Sequence, residues 1–331
     1  MTTIAVDAMG GDHGPPVTVP AVVSCARNNP DDVFILVGLE DEIQRALDAG
    51  PVASNVRIQH ASQVVTMDEA PAHAMRKKKD SSMRVALNLV HDGVADACLS
   101  AGNTGALMAT ARFVLKTQTG ITRPSLISTI PNLTVKRGHI HMLDLGANVD
   151  SPPEVLVQFG IMGSILVSSL EGLEKPRVAL LNIGHEDIKG NEVIQEAARQ
   201  LRETELNFVG FVEGDGIYTG DVDVIVCDGF VGNVALKTSE GLAAMIKHLL
   251  REEFGRSLLS KLASLAAMPV LKRLGKRMDP RRYNGAPLVG LRGTVLKSHG
   301  GADAIGFESA VTETLRIARI DLPGRIREAL E

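Results

Sequence analysis

The chain has 331 residues, of which 44% are hydrophobic, and it carries 35 Lys and Arg against 39 Asp and Glu. This length permits a large core, and a formal net charge of −4 gives no reason to expect nucleic acid as the main partner. Cys25, Cys98 and Cys227 are odd in number and not closely spaced, which is typical of reduced, structural thiols in a cytosolic protein.

The N-terminal stretch predicts a first β-strand over residues 3–7. Asp7 lies only a few residues into its apolar run, and no basic segment precedes it, which argues against a signal peptide. The longest uncharged apolar stretch, residues 159–170, is shorter than the ~20 residues that a membrane-spanning helix needs. We therefore expect a chain that does not span a membrane, although it is able to lie against one.

Short β-branched runs alternate with longer amphipathic stretches along the rest of the chain. Further strand patterns occur at 33–38, 56–59, 125–130, 139–144, 177–182, 207–212 and 223–228. Helical periodicity marks 40–50, 81–93, 105–116, 191–204 and 232–254. This alternation predicts a three-layer α/β/α fold with a largely parallel sheet. Because no repeat or linker interrupts it, residues 1–331 are expected to form a single α/β domain.

The segment from Arg256 to Arg282 departs from this alternation. It holds eight basic residues and one acid, with leucines interspersed among them. The pattern predicts a protruding amphipathic helical hairpin at about 240–282, apolar on one side and basic on the other. Pro269 is expected to break or kink the helix, which would put the tip of the hairpin around that residue.

Four apolar runs each end in a glycine loop, at residues 98–106, 180–191, 225–233 and 296–304. A strand that leads through a glycine turn into a helix start aims backbone N–H groups at one place, which suits an anion. Ligands of such sheets bind outside the carboxyl ends of the strands. The repetition therefore predicts a site for a phosphate or an oxyanion.

The loop SAGNTGA at 100–106 follows a strand and opens a helix. On its own it fits a tight strand–helix turn better than a binding site, and its likeness to the other three loops reverses that preference. Its candidate phosphate ligands are Gly102, Asn103, Thr104 and Gly105.

Two polar side chains in the middle loops have both a functional and a structural interpretation. Lys189 precedes a helix and is able to hold phosphate as a point charge, but a solvated surface lysine fits as well. Asn233 lies where a glycine turn gives way to a helix. Its amide suits either a developing oxyanion or the N-cap of that helix.

The first and last glycine loops add further candidates. Lys297, Ser298 and His299 repeat the arrangement near the C-terminus, although His299 is as compatible with a turn as with catalysis. Asp7 and Asp12 follow the first strand.

Several motifs are missing from the sequence. It contains no G-x-S-x-G elbow, no Walker A loop, no G-x-G-x-x-G and no paired-cysteine or H-E-x-x-H spacing. Nothing therefore nominates a covalent nucleophile, an ATP site or a bound zinc. Asp221, Asp223 and Asp228 are conceivable metal ligands, but for Asp221 and Asp223, which flank or begin a strand, strand-end caps are the stronger interpretation.

Six motifs in chain order resemble the bacterial phosphate acyltransferase family called PlsX. They are DAMGGD (7–12), SAGNTGA (100–106), LGAN (145–148), NIGHEDIKGN (182–191), CDGFVGN (227–233) and YNGAPLVGLRGTVLKSHGGA (283–302). The resemblance implies transfer of an acyl group from the thioester of acyl carrier protein to inorganic phosphate, which gives acyl phosphate for phospholipid synthesis. It also implies a homodimer, a fold similar to the isocitrate and isopropylmalate dehydrogenases, and no cofactor.

The residues fit this chemistry. Phosphate is already an anion near pH 7 and needs positioning more than deprotonation, and a thiol leaving group with a pKa near ~8.5 needs little acid assistance. We expect Lys189 to hold phosphate and Asn233 to stabilise the tetrahedral oxyanion. The 102–105 loop and Asp12 should supply further contacts, with Lys297, Ser298 and His299 closing the other side.

Two alternatives from other classes remain at this point: an isocitrate-type NAD-dependent dehydrogenase, and a non-enzymatic lipid or carrier-protein binding module. Reduction of a nicotinamide cofactor would indicate the first, and the second predicts no thioester loss when phosphate is supplied.

Basic residues suggest where an acidic carrier protein and a membrane would bind. The candidates for carrier docking are Arg76, Lys77, Lys78, Lys79, Arg281 and Arg282. Anionic lipid would meet the hairpin, with Leu262, Leu265, Ala266 and Leu271 pressed into the headgroup boundary. The alternative is burial of these leucines between two subunits. The expected location is the cytoplasm, peripherally at the inner face of the membrane.

Overall fold

The computed structural model describes residues 1–50, 53–277 and 279–330. Its strands are β1 (Thr3–Asp7), β2 (Val33–Gly38), β3 (Val56–His60), β4 (Ala97–Ser100), β5 (Ser125–Pro131), β6 (His139–Leu143), β7 (Arg177–Leu181), β8 (Asn207–Val212), β9 (Val224–Val226), β10 (Ala286–Val289) and β11 (Thr294–Lys297). The first helices are α1 (Pro15–Asn28), α2 (Glu40–Asp48), α3 (Pro71–Lys77), α4 (Ser82–His91), α5 (Thr104–Leu115) and α6 (Pro153–Glu171). The others are α7 (Glu192–Arg202), α8 (Gly216–Thr219), α9 (Gly229–Gly255), α10 (Leu258–Arg277), α11 (Ala304–Arg319) and α12 (Leu322–Leu330), with a 3₁₀ turn at Pro280–Tyr283.

Every strand and helix whose range was predicted is present, with ends shifted by at most three residues. The alternating pattern did not reveal α1, where prolines at positions 15, 16 and 20 obscure the period. It also did not reveal β10, because a run of four residues is too short to carry a period.

All the strands belong to one sheet, in the order β3-β2-β1-β4-β11-β10-β5-β6-β9-β7-β8. The five strands from β3 to β11 are mutually parallel, and so are the four strands from β6 to β8. Three antiparallel pairings separate the two groups: β11 with β10, β10 with β5, and β5 with β6. The predicted α/β fold with a mostly parallel sheet is therefore confirmed.

This topology corrects one expectation about the glycine loops. Because the number of antiparallel pairings between the two groups is odd, the groups point in opposite directions along the sheet. The loops after β4 and β11 leave from one edge, and those after β7 and β9 leave from the other. The strands alone therefore do not bring the four loops together.

Apolar side chains cover both faces of the sheet. Along β1, Ile4 and Val6 belong to one buried cluster and Ala5 to another, because successive side chains of a strand point to opposite faces. The first cluster includes Phe159 of α6, and the second includes Leu107 of α5. Helices therefore pack on both faces.

Helix α6 is long and apolar enough to cross a membrane by length and composition alone. The apolar stretch at 159–170 is shorter than the helix, which already begins at Pro153. Its residues Phe159, Met162 and Leu166 are fully buried in the core, and α6 contacts α7, β9 and α12. This packing accounts for its apolar composition.

Helices α9 and α10 are joined at Arg256 and Ser257 and pack against each other. Helix α10 continues through Pro269, so the expected break there is wrong. A proline inside a helix removes one hydrogen bond, and an exposed helix is able to give the freed carbonyl to water. The turn between the helices lies at 255–258, and Leu262, Leu265 and Ala266 lie along the exposed surface of α10 rather than at the tip.

Candidate active site

Three loops meet at the carboxyl edge of the first parallel group, those after β1, β4 and β11. The Asp12 N–H donates to the Gly300 carbonyl (2.9 Å), and the Ser298 N–H donates to the Ser100 carbonyl (2.9 Å). At Gly11, where φ is +88°, a Cβ would lie 2.8 Å from the Gly300 carbonyl oxygen. Only glycine permits this approach, so the three loops are held together as one unit.

Lys297 is the buried cation of this unit, which we call the Lys297 cluster. Its side chain runs from β11 into the loop after β4, where the ammonium donates to the carbonyls of Ala101 (3.1 Å) and Ser298. Burial lowers the pKa of Lys297 to about 8, and the carboxylates of Asp7 and Asp12 oppose the shift. The ammonium is therefore still largely charged at pH 7, in a place where little water screens it.

Asp7 ends β1 inside the same cluster. Its Oδ2 accepts a hydrogen bond from Ser100 Oγ (2.6 Å), and Ser100 Oγ in turn accepts one from the Gly102 N–H (3.0 Å). Burial raises the pKa of Asp7, although the hydrogen bond from Ser100 works in the other direction. Asp12, by contrast, is exposed at the rim.

Ser298 and His299 are held by Asn284, which precedes β10. The Asn284 amide donates to Ser298 Oγ (2.9 Å), and its Oδ1 accepts from the His299 N–H (2.9 Å). His299 is exposed, and its Nδ1 accepts from the Gly301 N–H (3.1 Å), which is the turn role considered above. This contact occupies Nδ1 and leaves Nε2 facing outward.

The N-terminus of α5 opens beside Lys297. Asn103 is the N-cap: its Oδ1 accepts from the Ala106 N–H (2.9 Å), and its amide donates to the Met67 carbonyl (2.6 Å). The side chain of Asn103 is thus committed to the fold. Within the described residues, the backbone N–H groups of Thr104 and Gly105 have no acceptor. These amides are the groups that a helix start offers to an anion.

A second set of loops, residues 144–148 and 227–233, lies at the opposite edge, and we call it the Asp144 cluster. Asp144 is buried, and its two oxygens accept from the N–H groups of Leu126 (3.1 Å), Ala147 (3.1 Å) and Asn148 (2.7 Å). Helix α9 packs directly on this loop, since a Cβ at Gly232 would lie 1.8 Å from the Asp144 carbonyl oxygen. The position of α9 therefore depends on that glycine.

Asn233 lies in the second turn of α9 rather than at its start. The N-cap is Asp228, whose Oδ1 accepts from the Val231 N–H (2.8 Å), so the interpretation of Asn233 as the cap is wrong. Asn233 is exposed and lies beside Gly146, where a Cβ would come within 3.4 Å of its Oδ1. Among the described residues its amide has no hydrogen-bond partner, which leaves it free to donate.

Lys189 is exposed in the loop after β7. Its carbonyl accepts from the Asn182 amide (3.2 Å), while its ammonium has no partner among the described residues. Helix α7 begins at Glu192, with Asn191 as its N-cap. The structure does not bring Lys189 into contact with the Lys297 cluster through any described hydrogen bond or ion pair.

Helix α9 is the element that connects the two clusters. Asn233 and Lys237 are four residues apart and share one face of the helix. Asn233 lies against Gly146, and the positive charge of Lys237 is near enough to Lys297 to contribute to lowering its pKa. The first turns of α9 thus run from the Asp144 cluster towards the Lys297 cluster.

The aspartates considered as metal ligands are engaged otherwise. Asp223 accepts from Arg177 Nε (2.9 Å) and pairs with Arg137 Nη2 (2.8 Å), and Asp221 also pairs with Arg177. Asp228 caps the N-terminus of α9. All three cysteines are buried and unpaired, as predicted.

The residues predicted for carrier docking divide into two groups. Lys78 pairs with Glu69 (2.5 Å), Arg281 pairs with Asp279 (2.7 Å), and Arg282 also has a partner. Exposed positive charge remains at Arg76, Lys77 and Lys79, on and just after α3. Helix α3 packs on α5 with Pro71 beside Gly105, so this charge lies at the end of α3 that points away from the open N-terminus of α5.

Four contributors were not identified as site residues from the sequence: Asp144, Asn284, Ser100 and Lys237. Asn284 stands in the YNGAP motif, but its bonds reach residues 14 and 22 positions away. Ser100 has an ordinary strand position, and Lys237 looks like any helical lysine. The signal that would have found Ser100 is a polar residue that ends a buried strand.

Known proteins are similar to this chain over nearly its whole length. Residues 2–325 match the family model described as "Fatty acid synthesis protein". The phosphate acyltransferase of Nitrosococcus oceani is 56% identical over 99% of this chain and 96% of its own length. That of Chromobacterium violaceum is 58% identical over 98% of this chain and 94% of its own.

Solved structures share the fold at low identity. A phosphotransacetylase from Streptococcus pyogenes has a TM-score of 0.63 at 17% identity and covers 96% of this chain and 94% of that one. A putative 4-hydroxythreonine-4-phosphate dehydrogenase from Salmonella typhimurium has a TM-score of 0.55 at 12% identity, covering 96% and 99%. The architecture is therefore shared by acyltransferases and dehydrogenases, and the sequence relatives decide between them. The chain belongs to the phosphate acyltransferase family, PlsX, and is an acyltransferase.

Proposed function

We propose that the protein transfers a fatty acyl group from the thioester of acyl carrier protein to inorganic phosphate, for use in phospholipid synthesis. A phosphate oxygen attacks the thioester carbonyl, a tetrahedral oxyanion forms, and its collapse breaks the carbon–sulfur bond. The products are acyl phosphate and the free thiol of the carrier. Because phosphate is the nucleophile, the enzyme has to orient the phosphate and the thioester and to stabilise the oxyanion. It needs no covalent intermediate.

The observation that carries this proposal is the buried ammonium of Lys297 beside the open start of α5. The free amides of Thr104 and Gly105 and the charge of Lys297 together form a cradle for a dianion. Ser298 and Gly102 shape its wall, and Asp12 and His299 lie at its rim.

The oxyanion is assigned to the amide of Asn233. Two observations support this role: Asn233 does not cap the helix, and it shares one face of α9 with Lys237. Lys189 remains our candidate for bringing phosphate to the site, and its exposed ammonium without a described partner is consistent with that task.

The reaction is tested by incubating acylated carrier protein with the enzyme, with and without phosphate, and identifying the products by mass spectrometry. We expect acyl phosphate and free carrier thiol only when phosphate is present. Thioester loss independent of phosphate, or no loss at all, would rule the proposed reaction out.

The carrier protein is expected to dock on Arg76, Lys77 and Lys79. An acidic partner would be attracted by this exposed charge, and the rate of encounter would fall as salt rises. Replacing the three with Glu should slow turnover of carrier-bound substrate at low salt. Rates that stay indifferent to both salt and charge would move the docking surface elsewhere.

The exposed apolar face of α9 and α10 supports a peripheral membrane contact and a homodimer. Leu262 and Leu265 are 64% and 65% exposed, Ala266 is also exposed, and Leu271 is half-buried. Leu265→Glu should abolish binding to anionic vesicles while the dimer and the activity persist. Loss of the dimer would instead assign these leucines to a subunit interface. A cytoplasmic enzyme at the inner face of the membrane is the corresponding location.

We also propose a single α/β domain related to the isocitrate and isopropylmalate dehydrogenases. The continuous sheet of the described residues supports one domain. The similarity in fold to a dehydrogenase supports the relationship.

A further inference from the structure

We propose that His139, His141 and Glu171 form a binding site for a divalent transition-metal ion, with zinc as the first candidate. His139 and His141 are two residues apart on β6 and therefore point to the same face of the sheet. Glu171 ends α6, which packs on β6. One ligand atom from each residue lies within 4.8 Å of the other two.

The two imidazoles are oriented as metal ligands usually are. His139 Nδ1 faces the Arg137 carbonyl at 3.1 Å, and His141 Nδ1 faces Thr129 Oγ1 at 3.3 Å. A carbonyl oxygen only accepts, so His139 carries a proton on Nδ1, and in the neutral ring Nε2 presents a lone pair. An outer hydrogen bond on one nitrogen that directs the other nitrogen to the ion is the usual arrangement around a bound metal.

Both Nε2 atoms converge on one carboxylate oxygen. Glu171 Oε1 lies 3.4 Å from His139 Nε2 and 3.8 Å from His141 Nε2. The Nε2 atom of His141 is buried and has no hydrogen-bond partner, which is costly for a polar atom. A cation between the two Nε2 atoms and the carboxylate would give the unpartnered Nε2 of His141 a ligand and would replace the long contact between His139 Nε2 and Glu171 Oε1.

The spacing suits a small ion after modest closure. Zinc binds imidazole nitrogen and carboxylate oxygen at about 2.0–2.2 Å, so tetrahedral ligands lie roughly 3.4 Å apart. Two histidines and one carboxylate favour Zn²⁺, with Fe²⁺, Co²⁺ and Ni²⁺ as weaker alternatives, and leave a position open for water. His139 and Glu171 are partly exposed, with 21% and 16% of their side chains accessible, which provides an entry path.

Arg316 is the neighbour that competes for this carboxylate. Its Nη2 lies 3.3 Å from Glu171 Oε1 and also donates to the Leu170 carbonyl at 2.9 Å. Glu171 Oε2 has no hydrogen-bond partner within the described residues, so the arginine is able to keep the backbone contact and move to that oxygen. Sequence motifs did not suggest the site because the third ligand follows the histidines by 30 residues.

The experiment uses untagged, chelator-treated protein titrated with Zn²⁺ or Co²⁺ alone. We expect one equivalent per chain to bind in the low micromolar range or tighter, with visible Co²⁺ absorption and a melting temperature raised by about 2–5 °C. His141→Gln and Glu171→Gln should each weaken binding by about 100-fold or more. Thr129→Val should weaken it by about tenfold, because it removes only an outer contact.

His91→Gln is the matched control, because His91 also pairs with a carboxylate, that of Asp92, but has no third ligand. Its metal affinity should equal that of the unsubstituted protein. The proposal is overturned if the unsubstituted protein gives no stoichiometric Co²⁺ spectrum, or if folded Glu171→Gln or His141→Gln binds as tightly as the control. The Co²⁺ titration of the unsubstituted protein needs no variant, so it tests the proposal even where a variant does not fold.

Discussion

The Lys297 cluster and the Asp144 cluster are built from the same local pattern, a strand followed by a glycine loop and a helix, yet they provide opposite environments. In the first, three loops bind one another and bury a lysine. In the second, α9 packs on the loop at Asp144 through Gly232. Lys189, in the neighbouring loop, is exposed. The pattern therefore marks where an anion could bind, whereas burial decides how strongly a charge acts there.

The largest effect is expected at Gly232, whose contact with Asp144 positions α9, the helix that connects the two clusters. Gly232→Ala would place a Cβ 1.8 Å from the Asp144 carbonyl oxygen and push α9 away. We expect activity to fall by more than about 100-fold and the free energy of unfolding to fall by roughly 1–3 kcal/mol. Steady-state kinetics and chemical denaturation measure the two effects.

Gly241→Ala provides the control within the same helix. A Cβ there meets nothing within 4 Å, so the change should leave activity intact and stabilise α9 by about 1 kcal/mol. Equal losses from both substitutions would show that the contact with Asp144 does not position α9.

Removal of the buried charge comes next. Lys297→Met keeps the apolar stem but removes the ammonium, so we expect turnover to fall about 10²–10³-fold. Lys189→Met makes the same change at an exposed position and should cost far less. If both variants lose activity equally, burial is not what distinguishes the two lysines.

Asn233→Ala should lower turnover at saturating phosphate by about 10²-fold, since its donor acts mainly in the transition state. Stability should be unchanged, because Asn233 is exposed and is not the cap. Asp228→Ala removes the cap and should lower the free energy of unfolding by about 1 kcal/mol. Thermal unfolding of both variants separates the roles, and a stability loss confined to Asn233→Ala would contradict the cap assignment.

The stability of the protein should depend on pH through Lys297. Its pKa is about 8 in the folded protein against 10.5 ordinarily, so the unfolded chain binds more protons between these values. The contribution to the free energy of unfolding therefore rises from pH 8 to pH 10.5 and is constant below pH 8. The total rise is roughly 3 kcal/mol.

Denaturation curves of the unsubstituted protein and Lys297→Met at several pH values measure this contribution. The difference in unfolding free energy between the two should increase through that window. A difference independent of pH would mean that the lysine is not buried as a cation.

The smallest effect is expected for Lys189→Ala. An exposed ammonium contributes at most about 1 kcal/mol to binding an anion, so the KM for phosphate should rise by at most about fivefold. The effect should shrink as salt is added. An unchanged phosphate dependence would remove Lys189 from the site.

Much of the fold was accessible from the sequence because local patterns encode it. β1 and β2 were located to the residue, since alternating burial and flanking turns mark a strand. The six motifs that resemble PlsX are local sequences and indicate the family independently of the fold. The sequence left the cap of α9 open, because Asp228 and Asn233 are both good cap residues and only the backbone shows where the helix begins.

The sequence by itself determined the alternation of strands and helices, the family and the glycine loops that end the strands, because these follow from short-range periodicity and local turn chemistry. The tertiary structure decided which loops meet. Because β10 and β5 pair antiparallel with their neighbours, the strands of the two parallel groups run in opposite directions. No local sequence pattern encodes that reversal. It likewise decided that Lys297 is buried and Lys189 exposed, since burial depends on residues distant in the chain, such as Asp7 and Ala101.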